Sequence, residues 1–186
     1  MIRKTQILQT AIETFTHLGI KRVSIDDICF NLSISKKTFY LHYDEKQTLI
    51  NDFLEAEFRK IFEEYEKLTL RVTSPLELMI RYNQFLLEHV HSKNPALLYD
   101  LKQFYPENYA FYCRKRTKLV DRFEGILKAG IKSGHFRKEL DPRSLADLRV
   151  AQLECILLPY PVLQQLPEKY HQQLFEHYIY GIAGFR

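Results

Sequence analysis

Apolar residues in the first part of the chain recur every three or four positions, which is the spacing of one face of an α-helix. One such stripe runs from Ile7 to Leu18, and Gly19 follows it where helices often end in a left-handed residue. Ser24 precedes a second stripe and has Asp27 three positions later, as in a capping box. The pattern predicts helices over residues 2 to 18, 25 to 32 and 36 to 42.

The remaining chain has the same helical pattern, and no segment shows the strict alternation of a strand. Proline at a first helical position marks three starts, at Ser74-Pro75, Asn94-Pro95 and Asp141-Pro142, each behind a capping side chain. Gly134 marks the end of a long helix. We therefore predict an all-α fold of about nine helices. The six later ones span residues 45 to 70, 75 to 92, 95 to 104, 107 to 133, 142 to 158 and 167 to 183.

The third predicted helix has one face rich in hydrogen-bond donors. Phe39 and Tyr43 share the opposite face, which can pack on the second helix. The outward side chains are those of Lys36, Lys37, Thr38, Tyr40 and Leu41. Phosphates accept hydrogen bonds from Lys, Thr and Tyr, and base edges in the major groove accept them from Lys and Thr. A Lys-Lys pair alone usually lies on a solvated face, but this pair stands beside hydroxyl and aromatic donors. The segment is typical of a DNA-recognition helix.

Residue types and spacing across these three helices resemble the TetR family of bacterial transcription regulators. The resemblance is carried by Ile7-Leu8, Ala11, Phe15, Gly19, the run Ser24 to Cys29, the run Ile34 to Tyr43, and Lys46. It implies that Ser24, His42 and Lys46 contact phosphates, that the start of the third helix reads bases, and that Tyr40 contacts backbone or base. The DNA-binding residues expected from pattern and resemblance together are Ser24, Ser35, Lys36, Lys37, Thr38, Tyr40, His42 and Lys46.

Two positions depart from the family pattern. Ser33 stands in the turn where the family commonly has Gly, and Gly adopts positive φ more readily than Ser. Lys37 stands where the family often has Gly, which suggests an added DNA contact.

Composition is that of an ordinary globular protein, with 46% apolar and 27% charged residues and a net charge of +4. Over residues 1 to 50, seven Lys and Arg against five Asp and Glu leave only +2, so DNA binding would depend on where the charges lie. Cys29, Cys113 and Cys155 lack a paired spacing, so we expect neither disulfide nor zinc. No signal peptide or membrane-length apolar run is evident, and a cytoplasmic protein is expected.

We predict a DNA-binding domain over residues 1 to 46 and an effector-binding and dimerisation domain over residues 47 to 186. The last two helices carry more apolar residues than one stripe needs, which favours a four-helix dimer interface over a purely monomeric core. Such a dimer would present two recognition helices about one DNA turn apart and read a palindrome. Candidate interface residues are Leu145, Leu148, Leu153, Ile156, Leu174, Tyr178 and Ile182.

The middle helices are rich in aromatic residues, a composition suited to enclosing a flat or lipophilic molecule, although an ordinary core explains many of them. Candidate pocket residues are Tyr82, Phe85, His89, Tyr109, Tyr112 and Phe123. The resemblance implies that this region binds a small effector, which moves the fourth helix and spreads the recognition helices. Glu154 lies within an apolar run, where it could face a cationic ligand or simply solvent.

Catalytic interpretations find little support. The segment from Gly130 to Gly134 has no preceding strand and is not a nucleophile elbow, and His89 and His91 diverge on a helix. We expect no enzyme, no cofactor and no metal. The sequence predicts a dimeric, ligand-responsive transcription regulator, most simply a repressor. An activator with the same fold, or a ligand-binding or protein-interaction module without DNA binding, remain the alternatives.

Overall fold

The computed structural model describes residues 3–159 and 168–184, and within these ranges the chain is built of α-helices without a strand. A single antiparallel bridge joins Phe136 to Ala183. The all-α prediction is confirmed, and the predicted starts at residues 2 and 167 lie outside the described ranges. The helices are α1 (Lys4–Leu18), α2 (Ile25–Asn31), α3 (Lys36–Tyr40), α4 (Lys46–Thr69), α5 (Pro75–His91), α6 (Leu97–Phe104), α7 (Pro106–Lys132), α8 (Pro142–Glu154) and α9 (Glu168–Ile182).

Side-chain caps begin four of the predicted helices as expected. Ser24 Oγ accepts from the Asp27 amide at 3.1 Å, and Asp27 Oδ2 accepts from the Ser24 amide at 2.7 Å, which completes the capping box of α2. Ser35 caps α3, Ser74 caps α5 and Asp141 caps α8, each by accepting from an amide three residues later. Each cap satisfies an amide that has no partner within its helix.

Three helix boundaries in the described ranges differ from the prediction by two residues or more, and tight turns cause each of these differences. α3 ends at Tyr40 because the amide of His42 turns back to the carbonyl of Phe39 at 2.9 Å. α8 gives way after Glu154 to a 3-10 turn over Cys155–Leu157. α6 begins at Leu97 and not at 95, because Asn94 Oδ1 first accepts from the Ala96 amide at 2.9 Å.

One continuous core joins all the helices. α7 packs against α4, α5, α6 and α8, while α1 packs on α2 and α4, so the first three helices share the core of the rest. Near the end of α7, a Cβ on Gly130 would lie 2.0 Å from the ring of Phe136, so this position requires glycine. No helix in the described ranges is long and apolar enough to cross a membrane.

Candidate nucleic-acid interface and effector cavity

The turn between α2 and α3 is closed by main-chain hydrogen bonds. The Ser33 amide donates to Phe30 O at 3.0 Å and the Ile34 amide to Cys29 O at 2.9 Å. Ser33 has φ of 52°, the one positive φ of a non-glycine residue in the described ranges. Ser33 thus adopts the left-handed conformation for which glycine is normally preferred, and the turn of a helix-turn-helix forms without glycine.

Phe39 and Tyr43 fix α3 against the rest of the protein. Phe39 is fully buried, Tyr43 is 1% exposed, and their rings lie 5.8 Å apart. Tyr43 donates from its hydroxyl to Asp52 Oδ2 on α4 at 3.0 Å. Burial, together with the negative charge of Asp52, raises the pKa of Tyr43 well above its ordinary value. The predicted inner face of α3 is confirmed, and α3 is held directly on α4.

The opposite face of α3 is open to solvent. Lys36, Lys37 and Tyr40 are exposed, and Thr38 is half-buried with its hydroxyl 3.0 Å from that of Ser35. Lys36 Nζ lies 2.9 Å from Asp26 Oδ1 on α2, and this hydrogen bond and charge raise the pKa of Lys36. Donors and one exposed aromatic ring therefore share a single surface, which we call the recognition surface.

The three residues expected at phosphates from the resemblance occupy different environments. Ser24 is exposed at the start of α2, where its hydroxyl also donates to Asp27 Oδ2 at 2.7 Å, and His42 is half-buried. Lys46 departs from the expectation, since its Nζ points inward and donates to Ile20 O at 2.6 Å and to Tyr105 Oη at 2.8 Å. Burial lowers the pKa of Lys46 to about 8. The first turn of α4 meets the start of α7 here, so Lys46 is half-buried between them.

A second set of polar contacts joins the end of α1 to the corner between α5 and α6. The Asn94 amide donates to Thr16 O at 2.7 Å and the Asn94 side chain to His17 O at 3.0 Å. Asp100 Oδ2 accepts from the Lys21 amide at 2.9 Å. Together with Lys46, these contacts form what we call the junction between the helix-turn-helix and the body of the protein.

A cavity of about 70 Å³ lies between α4, α5, α7 and α8. Its wall is mainly aliphatic and aromatic, a composition that suits a lipophilic ligand. The lining residues are Phe53, Leu54, Glu57, Phe58, Ile61, Leu86, His89, Val90, Lys93, Leu97, Tyr112, Leu119, Val150, Leu153, Glu154 and Leu157.

Of the six predicted pocket residues, His89 and Tyr112 line this cavity. Tyr82 and Phe123 instead pack on each other in the core, with ring centroids 5.5 Å apart, because they lie about one helical turn beyond the lining residues Leu86 and Leu119 on the same faces of α5 and α7. The ring of Phe85 stacks on that of His89, and the ring of Tyr109 stacks on that of Tyr112 with 6.1 Å between the ring centroids. These four residues support the wall and are not part of it.

The cavity wall includes the charged side chains of Glu57, His89 and Lys93, and Lys60 joins them from the solvent side; we call these four residues the Glu57 cluster. Glu57 Oε1 accepts from Lys60 at 2.8 Å, whereas Oε2 pairs with Lys93 and lies 3.3 Å from His89 Nε2. Burial would raise the pKa of Glu57, but hydrogen bonds from Lys60 and Lys93 hold that pKa below its ordinary value. Burial and the charge of Lys93 lower the pKa of His89 to about 4, so His89 is neutral near pH 7.

A second polar group in the cavity wall consists of Tyr112 and Glu154, with Arg116 behind them. Tyr112 donates to Glu154 Oε1 at 2.7 Å, and Arg116 Nε donates to both carboxylate oxygens of Glu154 at 2.9 and 3.0 Å. Burial raises the pKa of Tyr112 well above its ordinary value, so the hydroxyl keeps its proton. Glu154 is therefore neutralised from within the chain.

Neither Glu57 nor Lys93 was predicted as a site residue. A usable signal was present, because Glu57 interrupts the apolar stripe of Phe53, Leu54, Phe58 and Ile61 on α4. A charged residue at a buried helical position needs a partner, and Lys93 is that partner.

Burial divides the predicted interface residues. Leu148 and Leu174 are 50% and 48% exposed, and Leu145 and Ile156 are half-buried. Leu153, Tyr178 and Ile182 are instead buried in the chain's own core, with Leu153 at the cavity and Tyr178 donating to Leu145 O. These three are corrected to core residues, because α8 and α9 bury one face against their own body before any second copy is added.

Comparisons with known proteins agree with this architecture. Residues 7–53 match the model of the family described as bacterial regulatory proteins, tetR family. An HTH-type transcriptional repressor KstR2 of Rhodococcus jostii (strain RHA1) is 23% identical over 143 residues, covering 75% of this chain and 70% of the relative.

Solved structures show the same fold along the whole chain. A TetR-family regulator from Agrobacterium tumefaciens superposes with a TM-score of 0.83 at 18% identity, covering 97% of each chain. A regulator from Saccharomonospora viridis, solved in complex with choline, has a TM-score of 0.80 at 19% identity, again covering 97% of each chain. The matched residues 7–53 contain the helix-turn-helix and its support on α4. Residues 7–53 therefore match the TetR family of bacterial regulatory proteins, and the fold of the chain is that of TetR-family regulators of known structure.

Proposed function

We propose that this regulator is a repressor that binds a palindromic operator as a homodimer and leaves it when a small lipophilic effector fills the cavity. Residues 1 to 46 would contact DNA, and residues 47 to 186 would bind the effector and the second subunit. The repressor role is supported by the curated relative, which is named a repressor.

The observation that carries the proposal is that the cavity and the junction share one corner of the fold. Lys93 lines the cavity, and the next residue, Asn94, holds the end of α1 through two hydrogen bonds. α4 likewise lines the cavity and receives Tyr43 of the helix-turn-helix at Asp52. An effector that prefers a wider cavity would displace both connections and reorient α3, which is the differential binding that allosteric release requires.

On the DNA side, Lys36, Lys37, Thr38 and Tyr40 would read the operator, with Ser24, Ser35 and His42 nearer its phosphates. Lys46 is assigned to the junction. The exposed donors at the start of a capped helix suit the major groove. A dimer is supported by Leu148 and Leu174, which leave apolar surface exposed on α8 and α9.

The test is selection of random DNA duplexes by the purified chain, followed by footprinting on the recovered sequence. We expect an enriched palindrome and a footprint that a Lys37→Ala, Tyr40→Ala double variant loses. Both residues are exposed, so the double variant should fold normally, as a thermal melt would check. Asp26→Asn is the matched control, because releasing Lys36 from its ion pair should strengthen binding.

No enriched palindrome at low salt, or undiminished binding by the double variant, would contradict the proposal. Either outcome would favour the alternative of a ligand-binding module without DNA binding. The turn at Ser33, where the sequence departs from the family pattern, is closed by main-chain hydrogen bonds with Ser33 in the left-handed conformation, which gives that alternative no support.

A further inference from the structure

The Glu57 cluster places charged side chains in the cavity wall, where apolar side chains would cost less desolvation free energy. The side chains of Glu57 and Lys93 are 8% and 10% exposed, and they face the cavity among aliphatic and aromatic neighbours. A buried ion pair gives little net stability compared with apolar residues of the same size, because both ions lose their hydration. Stability alone therefore does not account for this pair, and its position in the wall points to a ligand.

We infer that the Glu57 cluster recognises the anionic group of a lipophilic effector, a carboxylate on an aliphatic body. This inference rests on the proposed function, since it names the ligand class of the same cavity.

The charge balance of the cluster is the first argument. The single carboxylate of Glu57 faces two ammonium groups, those of Lys60 and Lys93, and His89 is neutral near pH 7. Over its four side chains the cluster thus carries one positive charge in excess, with Lys60 at its solvent-exposed edge. Elsewhere in the wall, Glu154 pairs with Arg116, which also pairs with Asp147. A ligand with one negative charge would balance the cluster, whereas a neutral ligand would bring no charge to offset the excess.

The geometry of the donors is the second argument. His89 and Lys93 are four residues apart at the end of α5, so both side chains can reach the two oxygens of one ligand carboxylate. Lys60 holds the other oxygen of Glu57 from the solvent side, where its own side chain is 52% exposed. Glu57 can therefore remain paired with Lys60 while Lys93 and His89 turn to an incoming carboxylate. Charge-assisted hydrogen bonds of this kind are stronger than neutral ones.

A cationic ligand is the opposing possibility, since Phe58 and Tyr112 could receive a quaternary ammonium group. Both glutamates of the wall already face cations of the chain, so an added cation would meet Lys93 beside one of them and Arg116 behind the other. The same charges that favour an anion disfavour a cation.

The experiment measures binding of octanoate, octanol and octylamine to the full chain by calorimetry near pH 7, without DNA. Hexanoate and decanoate, with their alcohols, cover shorter and longer bodies. We expect the best carboxylate to bind about tenfold or more tightly than its matched alcohol, the difference that one charge-assisted hydrogen bond supplies. Octylamine should bind more weakly than either.

Variants separate head-group recognition from general packing. Lys93→Met should remove the preference for carboxylate over alcohol while keeping the binding of octanol. Glu57→Gln should strengthen octanoate binding, because it removes the internal competitor for Lys93. Lys115→Met is the matched control, since Lys115 also pairs with a glutamate of α4, Glu55, but does not line the cavity. Glu57→Gln keeps the test valid even if Lys93→Met unfolds.

Equal binding of carboxylate and alcohol, a preference for octylamine, or a preference that survives Lys93→Met would overturn the inference. So would the absence of carboxylate binding at every chain length in both the original chain and Glu57→Gln. A chain that binds octanoate but selects no DNA contradicts the proposed function alone. A chain that selects an operator but treats octanoate and octanol alike contradicts this inference alone.

Discussion

Lys46 gives the sharpest test of the site, because resemblance and structure assign it different roles. A phosphate contact would contribute to the salt dependence of DNA binding, whereas a junction residue would contribute to folding. Replacing Lys46 by Met removes the ammonium group and keeps the length of the side chain. Lys37→Met is the matched control, since Lys37 is exposed on the recognition surface.

The structure sets the expected size of the stability effect. Lys46 Nζ donates two hydrogen bonds, and each bond from a charged donor contributes about 1.5 to 3 kcal/mol. Its pKa of about 8 shows that burying the charge offsets part of this gain. Because the site is also partly open to solvent, we expect Lys46→Met to lower the free energy of unfolding by about 1 to 2 kcal/mol.

The assays are urea unfolding near pH 7 and the salt dependence of operator affinity. Lys46→Met should leave the slope of log affinity against log salt unchanged. Lys37→Met removes one cation per subunit from the groove, so in a dimer it should reduce that slope by up to about 2, even though the ammonium group is assigned to a base and not to a phosphate. A reduced slope in Lys46→Met, with unfolding unchanged, would refute the junction role and restore the phosphate contact.

Three further outcomes follow from other sites. Gly130→Ala should destabilise the protein by about 1 to 3 kcal/mol, because the new Cβ would overlap the ring of Phe136. Gly125→Ala, whose Cβ would have no atom within 4 Å, should instead stabilise the protein by up to about 1 kcal/mol. Thermal and urea unfolding of both variants measure the difference. Ser33→Gly should raise the free energy of unfolding by about 0.5 to 1 kcal/mol, because φ is 52° there, and a lower stability in the same assay would contradict this. Burial lowers the pKa of His89 to about 4, against 6.5 in the unfolded chain, so the unfolded chain binds more protons between these two pH values. The free energy of unfolding should therefore fall by up to about 3 kcal/mol as pH is lowered from 6.5 to 4. His89→Gln should lose this pH dependence, which urea titrations at several pH values would measure.

Local features were predictable from the sequence, and contacts between distant segments were not. The caps at Ser24, Ser35 and Ser74 depend on an amide three residues away, so the pattern that predicts them also contains their partner. Lys46 has its partner Tyr105 59 positions later, and nothing in the pattern around Lys46 indicates that contact. The predicted phosphate role came from the resemblance alone.

The cavity shows the same limit. Tyr82 and His89 both lie on α5 among apolar neighbours, and helical spacing marks both as inward-facing. Which of them meets empty space depends on how α4 and α8 pack across α5. Tyr82 meets Phe123, whereas His89 meets Glu57 and the cavity. Spacing therefore predicts burial without distinguishing a core residue from a ligand-facing one.

At the junction, the DNA-binding side takes part through its main chain. Thr16, His17, Ile20 and Lys21 contribute only carbonyl oxygens and one amide, while the selective side chains belong to the body. A helix-turn-helix with a different sequence would offer the same atoms if it kept the same end of α1 and also kept Tyr43, which donates to Asp52. Chimaeras should therefore be straightforward to build, with new operator specificities grafted before Lys46 and the effector response inherited from the recipient body.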